Sequence, residues 1–186
     1  MKSIELINLS KKNIISNINY IFNNQKCNFI IGSNGSGKTT IIKCILDLIS
    51  YSGDIKLNNL KISYVPDNIQ LPEYITVEQM LFEFENNGKQ HVEYYINRYN
   101  LQEHRRKPLY KLSKGTRQKI NIIQGFMANK DVYIFDEPLS GLDDLSKELF
   151  IYDIKNLIKK GKVVIISTHY LLEYQIDEKR ILKLNE

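Results

Sequence analysis

The stretch "GSNGSGKT", residues 32–39, constrains the possible folds of this chain more than any other feature. It fits the pattern G-x-x-x-x-G-K-[ST], and it lies between an apolar run, "CNFII", and a helical pattern, "TTIIKCILDLIS". Backbone N–H groups of a glycine-rich turn at this place surround phosphate oxygens, and the helix dipole adds positive potential. The sequence therefore predicts a phosphate-binding loop that comprises Gly32, Ser33, Asn34, Gly35, Ser36, Gly37, Lys38, Thr39 and Thr40.

Two side chains of this loop and two acids further along the chain predict a site for a nucleoside triphosphate and Mg²⁺. In such loops Lys38 reaches the β- and γ-phosphates, and the hydroxyl of Thr39 ligates the metal. The run "VYIFDEP" places Asp136 at the end of a buried-type strand, where it suits the metal directly or through water. Glu137, one residue further out, is placed to polarise an attacking water.

A third strand end carries a histidine. The run "VVIIS" is followed by Thr168 and His169, and an imidazole at the carboxyl end of a strand can hydrogen-bond the γ-phosphate. His91 and His104 lie in a polar helical region, and we interpret them as ordinary surface residues.

A second segment, "LSKGTRQK", also has the composition of an anion site. Ser113 is a small hydroxyl residue that suits a helix cap, and Gly115 follows in what reads as the first helical turn. The chain thus contains two phosphate-binding helix starts.

The remaining pattern predicts an α/β fold. Apolar strands that do not alternate recur between helices, which indicates a mostly parallel sheet covered on both faces. Between Pro66 and about Pro108 the chain becomes helical and polar, as expected for an inserted helical subdomain. A length of 186 residues with 42% apolar and 25% charged residues suits one domain with a substantial core. We expect no secretory signal or membrane span, and reduced thiols at Cys27 and Cys44.

The net charge of +5 is concentrated in residues 98–119. A solvated basic face, a phosphate-facing surface and contact with an anionic membrane surface are three open interpretations. Aromatic residues do not interleave this cluster as they do in single-strand binders, so we expect no nucleic-acid partner.

The order of GSNGSGKT, LSKGT, VYIFDEP, SGLD and STH is similar to that of the nucleotide-binding domain of the ATP-binding cassette (ABC) family. The resemblance implies one ATPase domain over residues 1–186, with an ATP-binding core in 1–66 and 117–186. A small antiparallel β subdomain is expected at the N-terminus, and a helical subdomain over about 67–116 that ends in the signature motif.

The resemblance also implies roles for the motif residues. Gly32–Thr39 look like Walker A, Asp136 with Glu137 like Walker B, Ser140–Asp143 like the D-loop and His169 like the switch histidine. The implied catalytic set is Glu137, His169 and Lys38. In this family two domains pack head to tail, so Ser113 and Gly115 would close over the partner's ATP.

Three positions depart from the family pattern. Asp67 stands where the family usually has Gln, and as an acid it can bind Mg²⁺ beside Thr39 and Asp136. Lys114 replaces the commoner glycine of the signature. The aromatic residue that usually stacks on adenine is absent between Leu9 and Ile18, which leaves base selectivity open.

The function implied is that of the ATP-hydrolysing, Mg²⁺-dependent subunit of an ABC transporter. Such a subunit works with a second ABC domain and a separate membrane-spanning permease, as a peripheral protein on the cytoplasmic face of the cell membrane. A soluble ABC ATPase, for example of the iron–sulfur assembly type, is the alternative. The cargo, its direction and the choice between homodimer and heterodimer are open.

Overall fold

A computed structural model describes residues 2–67, 71–83 and 89–184, with the backbone alone for Lys89 and Gln90. Residues 68–70 and 84–88 belong to the predicted helical subdomain, so that part of the prediction lies outside the described residues. The strands and helices of the described chain are, in order, β1 (Ser3–Lys11), β2 (Ile15–Asn23), β3 (Cys27–Ile31), α1 (Lys38–Ile45), β4 (Ser52–Lys56), β5 (Ile62–Val65), α2 (Val77–Glu83), α3 (Lys89–Arg98), α4 (Lys114–Met127), β6 (Val132–Asp136), α5 (Asp144–Lys159), β7 (Val163–Thr168) and β8 (Lys179–Lys183).

The N-terminal strands form the predicted small antiparallel sheet, in the order β2-β1-β4. Ile4, Leu6 and Phe22 are buried and pack under it. A tight connection joins β1 to β2, in which Asn13 has a φ of 62° and the N–H of Ile14 donates to the carbonyl of Lys11 over 3.0 Å.

The second sheet has five strands in the order β5-β6-β7-β3-β8, and every neighbouring pair is parallel. Helix α1 and the antiparallel sheet cover one face, and α4 with α5 cover the other. Every residue of β6 and β7 is buried, which explains their apolar runs. Because the strands are parallel, the ends of β3, β6 and β7 meet at one edge of the sheet.

Two sequence-based expectations about helices were wrong. The first helix was expected to extend to Ser50, but α1 ends at Ile45, and Asp47 has a left-handed φ of 55°. Leu46 and Ile49 still pack against the core from outside the helix. The spacing of Leu145, Leu149, Ile154 and Leu157 predicts that all four lie on the apolar face of one long helix, but on α5 Leu145 is 52% exposed and does not join that face.

Four residues of the insertion's helices belong to the same buried cluster as the inner face of α4, namely Val77, Leu81, Val92 and Ile96. An ion pair ties them to the rest of the molecule, because both carboxylate oxygens of Asp153 on α5 accept hydrogen bonds from Arg98, over 3.2 and 2.9 Å. Cys27 and Cys44 are buried and free, as expected. Within the described ranges, no helix has the length and apolar character needed to cross a membrane.

The basic cluster of residues 98–119 is partly neutralised by its own neighbours. Arg105 forms ion pairs with Glu78 and Glu93, and Lys119 pairs with Asp143 over 2.7 Å. The exposed remainder consists of Arg106, Lys107, Lys111, Lys114 and Arg117.

Candidate functional site

The glycine-rich loop leads from β3 into α1, as the sequence predicts. Gly37 has a φ of 98°, and a Cβ added there would lie 2.7 Å from Cγ2 of Ile15, so both its backbone and its surroundings require glycine. Lys38 begins the helix and is 6% exposed. Its Nζ donates to the carbonyl oxygens of Gly32 over 2.8 Å and Ser33 over 2.9 Å, which holds the amine inside the loop.

Asp136 lies directly beside the loop, at the end of β6. Its Oδ2 accepts a hydrogen bond from Oγ1 of Thr39 over 2.8 Å, and its Oδ1 accepts one from the hydroxyl of Ser167. Burial, and then the charge of Asp136 and a hydrogen bond to it, raise the pKa of Tyr64. Asp136 is therefore a buried carboxylate fixed by neutral hydroxyl groups.

These contacts fit Mg²⁺. The ion prefers hard oxygen ligands, and it usually takes one or two carboxylates together with phosphate oxygens and waters. Thr39 and Asp136 offer adjacent oxygens at the mouth of the loop. In the part of the chain that is described, no group of three or more His, Cys, Asp or Glu residues could hold a metal ion. Phosphate oxygens and waters would therefore have to supply the remaining ligands of Mg²⁺.

Glu137 connects the loop to the third strand end. Its Oε1 lies 3.4 Å from Nζ of Lys38. Its Oε2 lies 2.9 Å from Nδ1 of His169, and a carboxylate can only accept, so the ring nitrogen donates. The backbone N–H of Glu137 donates to the carbonyl of Ser167 over 3.2 Å, and its φ is 46°. Few residues other than glycine adopt this left-handed conformation, which is concentrated at functional sites.

A cavity of about 350 Å³ opens in front of these groups. Its walls are Ile14, Asn34, Gly35, Gly37, Lys38, Thr39, Thr40, Asp67, Asp136 and Glu137. Of these, Ile14 was not predicted from the sequence. It reaches the cavity because the connection between β1 and β2 is tight, and it places an aliphatic side chain on the cavity wall. Tyr20 on β2 is an aromatic residue that is not among these wall residues; it packs on Phe22, with the two ring centres 4.9 Å apart.

The signature segment lies apart from this cavity. Ser113 caps α4, and its Oγ accepts from the N–H of Thr116 over 3.1 Å, as expected of a helix cap. Gly115 packs against the loop before α5, since a Cβ added to it would lie 2.4 Å from the carbonyl oxygen of Gly141. Neither Ser113 nor Gly115 contributes to the walls of the cavity.

The glycine loop at the start of a helix, with an acid that faces Thr39 from the end of another parallel strand of the same sheet, defines a P-loop protein that binds nucleoside triphosphates. The family model described as "ABC transporter" matches residues 15–140. The chain belongs to the ABC transporter family, which confirms the resemblance seen in the sequence.

Similar proteins and a solved structure agree with this assignment. The chain is 30% identical over 194 residues to an uncharacterised ABC transporter ATP-binding protein of Methanocaldococcus jannaschii, an alignment that spans 97% of this chain and 74% of the relative. It is 35% identical to the zinc import ATP-binding protein ZnuC of Rickettsia conorii, over 98% of this chain and 82% of the relative. A solved ATP-binding subunit of an ABC transporter superposes with a TM-score of 0.85, at 25% identity over 98% of this chain and 88% of that one.

Proposed function

We propose that this protein hydrolyses ATP and that, as the ATPase subunit of an ABC transporter, it powers transport through a separate membrane permease. One observation carries the proposal: Glu137 contacts both Lys38 of the phosphate loop and His169 at the end of β7. Three groups of complementary chemistry thus meet at one edge of the sheet.

The phosphate loop supplies the grip on the nucleotide. The backbone of Gly32–Thr40 would surround the phosphates, and the Nζ of Lys38 would exchange its two carbonyl partners for β- and γ-phosphate oxygens. Thr39 and Asp136 would hold Mg²⁺, with Asp67 as a further oxygen ligand on the cavity wall. A bound ion would neutralise charge on the phosphates.

Glu137 and His169 would act on the attacking water and the terminal phosphate. The carboxylate of Glu137 accepts a hydrogen bond from the water and so raises its nucleophilicity. His169 orients that carboxylate through Nδ1. Both ring nitrogens of an imidazolium carry a proton, so in that form Nε2 would also donate a hydrogen bond to the γ-phosphate, whereas in the neutral ring it would only accept.

The separation of the signature from the cavity supports a dimer. Ser113 and Gly115 would contact the ATP held by a second ABC domain, so that two nucleotides would lie between two chains that close on each other. The comparison supports the coupling to transport, since the similar protein of Rickettsia conorii is named for zinc import. The protein would then lie on the cytoplasmic face of the membrane, attached to its permease.

The change Glu137→Gln tests this proposal. The variant should bind ATP with the parent affinity. It should hydrolyse ATP at no more than about one-thousandth of the parent rate, because the water loses its base while the phosphate loop is intact. With ATP it should elute earlier in size exclusion, as a trapped dimer. Glu148→Gln, the same change on the exposed side of α5, is the matched control and should behave as the parent. Hydrolysis by Glu137→Gln at the parent rate would refute the role of this residue.

A further inference from the structure

Two buried amide side chains of α4 reach towards the edge of the sheet that carries the site. Gln118 is 6% exposed, and its Nε2 donates to the carbonyl oxygen of Pro138 over 3.1 Å. Asn121 is 2% exposed, and its Nδ2 donates to the carbonyl oxygen of Pro66 over 2.8 Å. Because they are three residues apart, the two amides lie on the same face of the helix.

The two acceptors are adjacent in sequence to two acids that line the cavity, Asp67 and Glu137. Pro66 follows β5 and precedes Asp67, whereas Pro138 follows Glu137 at the end of β6. The strands β5 and β6 are neighbours, and their pairing ends at Val65 and Phe135. Beyond that point the carbonyl oxygens of Pro66 and Pro138 accept hydrogen bonds from the amide side chains of α4.

Helix α4 is also pressed onto β5 itself. A Cβ added to Gly125 would lie 2.3 Å from Cγ2 of Val65, and the hydroxyl of Ser63 donates to the carbonyl of Gly125 over 3.1 Å. With so little room, α4 cannot shift without moving the ends of β5 and β6. The same helix is capped by Ser113, the residue proposed to meet the second nucleotide.

We infer that Gln118 is a positioning residue for Glu137, that Asn121 is one for Asp67, and that through them the signature helix is coupled to the acids of its own chain's site. The inference rests on the proposed function. Its physical basis is that a buried carbonyl left without a donor pulls the strand end towards another partner. A misplacement of about 1 Å can cost a catalytic group about 100-fold in rate.

The experiment compares Gln118→Met with Gln124→Met in the full chain. Gln124 is on the same helix and equally buried, and its Nε2 has no hydrogen-bond partner among the described residues, so it is a matched control. Gln118→Met should lower kcat about tenfold or more while the Kd for ATP stays within about twofold. Gln124→Met should leave both at the parent values.

A double-mutant cycle separates positioning from stability. In a Glu137→Gln background, Gln118→Met should cause no further loss of the residual rate, because the group it positions is already gone. Gln118→Asn, which keeps the amide but withdraws it by one methylene, is the second variant and should show the same pattern. Asn121→Leu should weaken Mg²⁺-dependent ATP binding, measured by calorimetry, by about tenfold. In a protein that already carries Asp67→Asn, adding Asn121→Leu should weaken this binding no further.

Several results would overturn the inference. The first is a kcat equal to the parent value in Gln118→Met or Gln118→Asn. The second is a loss of kcat in Gln124→Met as large as that in Gln118→Met. The third is the same fold-loss of rate from Gln118→Met in the parent and in the Glu137→Gln background. Unchanged Mg²⁺-dependent ATP binding in Asn121→Leu would refute the role of Asn121 as a positioning residue for Asp67. A parent protein that hydrolyses no ATP would overturn the proposed function together with the inference, whereas an active parent with insensitive variants overturns the inference alone.

Discussion

Two variants that are each inactive should recover ATPase activity when mixed, if the signature of one chain completes the nucleotide site of another. Lys38→Ala removes the amine that lies within the phosphate loop. Ser113→Asp places a carboxylate at the start of α4 and preserves the helix cap, because Asp caps as well as Ser does. Gly115 is unsuitable for this purpose, since a Cβ there would meet the carbonyl of Gly141 at 2.4 Å and disturb its own chain.

The magnitude follows from charge and from counting sites. A carboxylate about 4 Å from one phosphate charge costs about 4 kcal/mol at an effective dielectric constant of about 20, which weakens closure about 1,000-fold. In an equal mixture about half of the dimers contain one chain of each kind, and each of these has one intact site. The mixture should therefore recover about a quarter of the parent rate per chain if the sites act independently.

Phosphate release is measured before and after the two variants are mixed, and a tag on one variant reports the mixed dimers. As a control, the double variant Lys38→Ala/Ser113→Asp mixed with Lys38→Ala should stay inactive, because no pairing gives an intact site. A preparation that contains mixed dimers and releases no phosphate would refute the trans arrangement. Every chain in the control mixture lacks Lys38, so activity there would show that Lys38 does not have the proposed role.

Two further predictions concern the base and an ion pair. Because Ile14 rather than an aromatic residue lines the cavity, GTP should support hydrolysis at a rate within about tenfold of that with ATP, since a stacked base is worth about 1–3 kcal/mol. Steady-state rates with both nucleotides test this prediction, and a 100-fold preference for ATP would contradict it. Lys119 lowers the pKa of Asp143 to about 2 through its hydrogen bond, so the stability that this carboxylate adds is present above its usual pKa of about 4 and is lost as the pH falls towards 2. Asp143→Asn, which keeps the helix cap, should lower the free energy of unfolding at pH 7 by at most about 1 kcal/mol because the side chain is half-exposed. In urea titrations, this difference between parent and variant should vanish near pH 2. A difference that persists at pH 2 would contradict the ion-pair explanation.

The sequence predicted the centre of the site because parallel strands bring their carboxyl ends together. From that rule alone, Asp136 was expected to lie beside Thr39, and the structure has them 2.8 Å apart. The apolar runs around Ile134 and Ile165 likewise predicted a buried parallel sheet. The roles proposed for these residues in binding and hydrolysis remain predictions.

Other features depend on tertiary contacts that no local pattern contains. Ile14 enters the cavity only because a residue with positive φ at Asn13 shortens the preceding connection. Helix α1 ends early although its apolar pattern continues, since Leu46 and Ile49 reach the same core from irregular backbone. An amide within a helix, such as Gln118, is read from sequence as a solvent-facing residue, and its acceptor lies 20 positions away.

The left-handed backbone at Glu137 has a consequence for how this chain changes over generations. Glycine and asparagine adopt that conformation more readily than glutamate does, so the molecule forgoes about 1 kcal/mol by keeping an acid there. A gene copy released from the need to hydrolyse nucleotide would gain stability by drifting to either residue. Glutamate at position 137 is then a residue that persists only under continued selection for its chemistry.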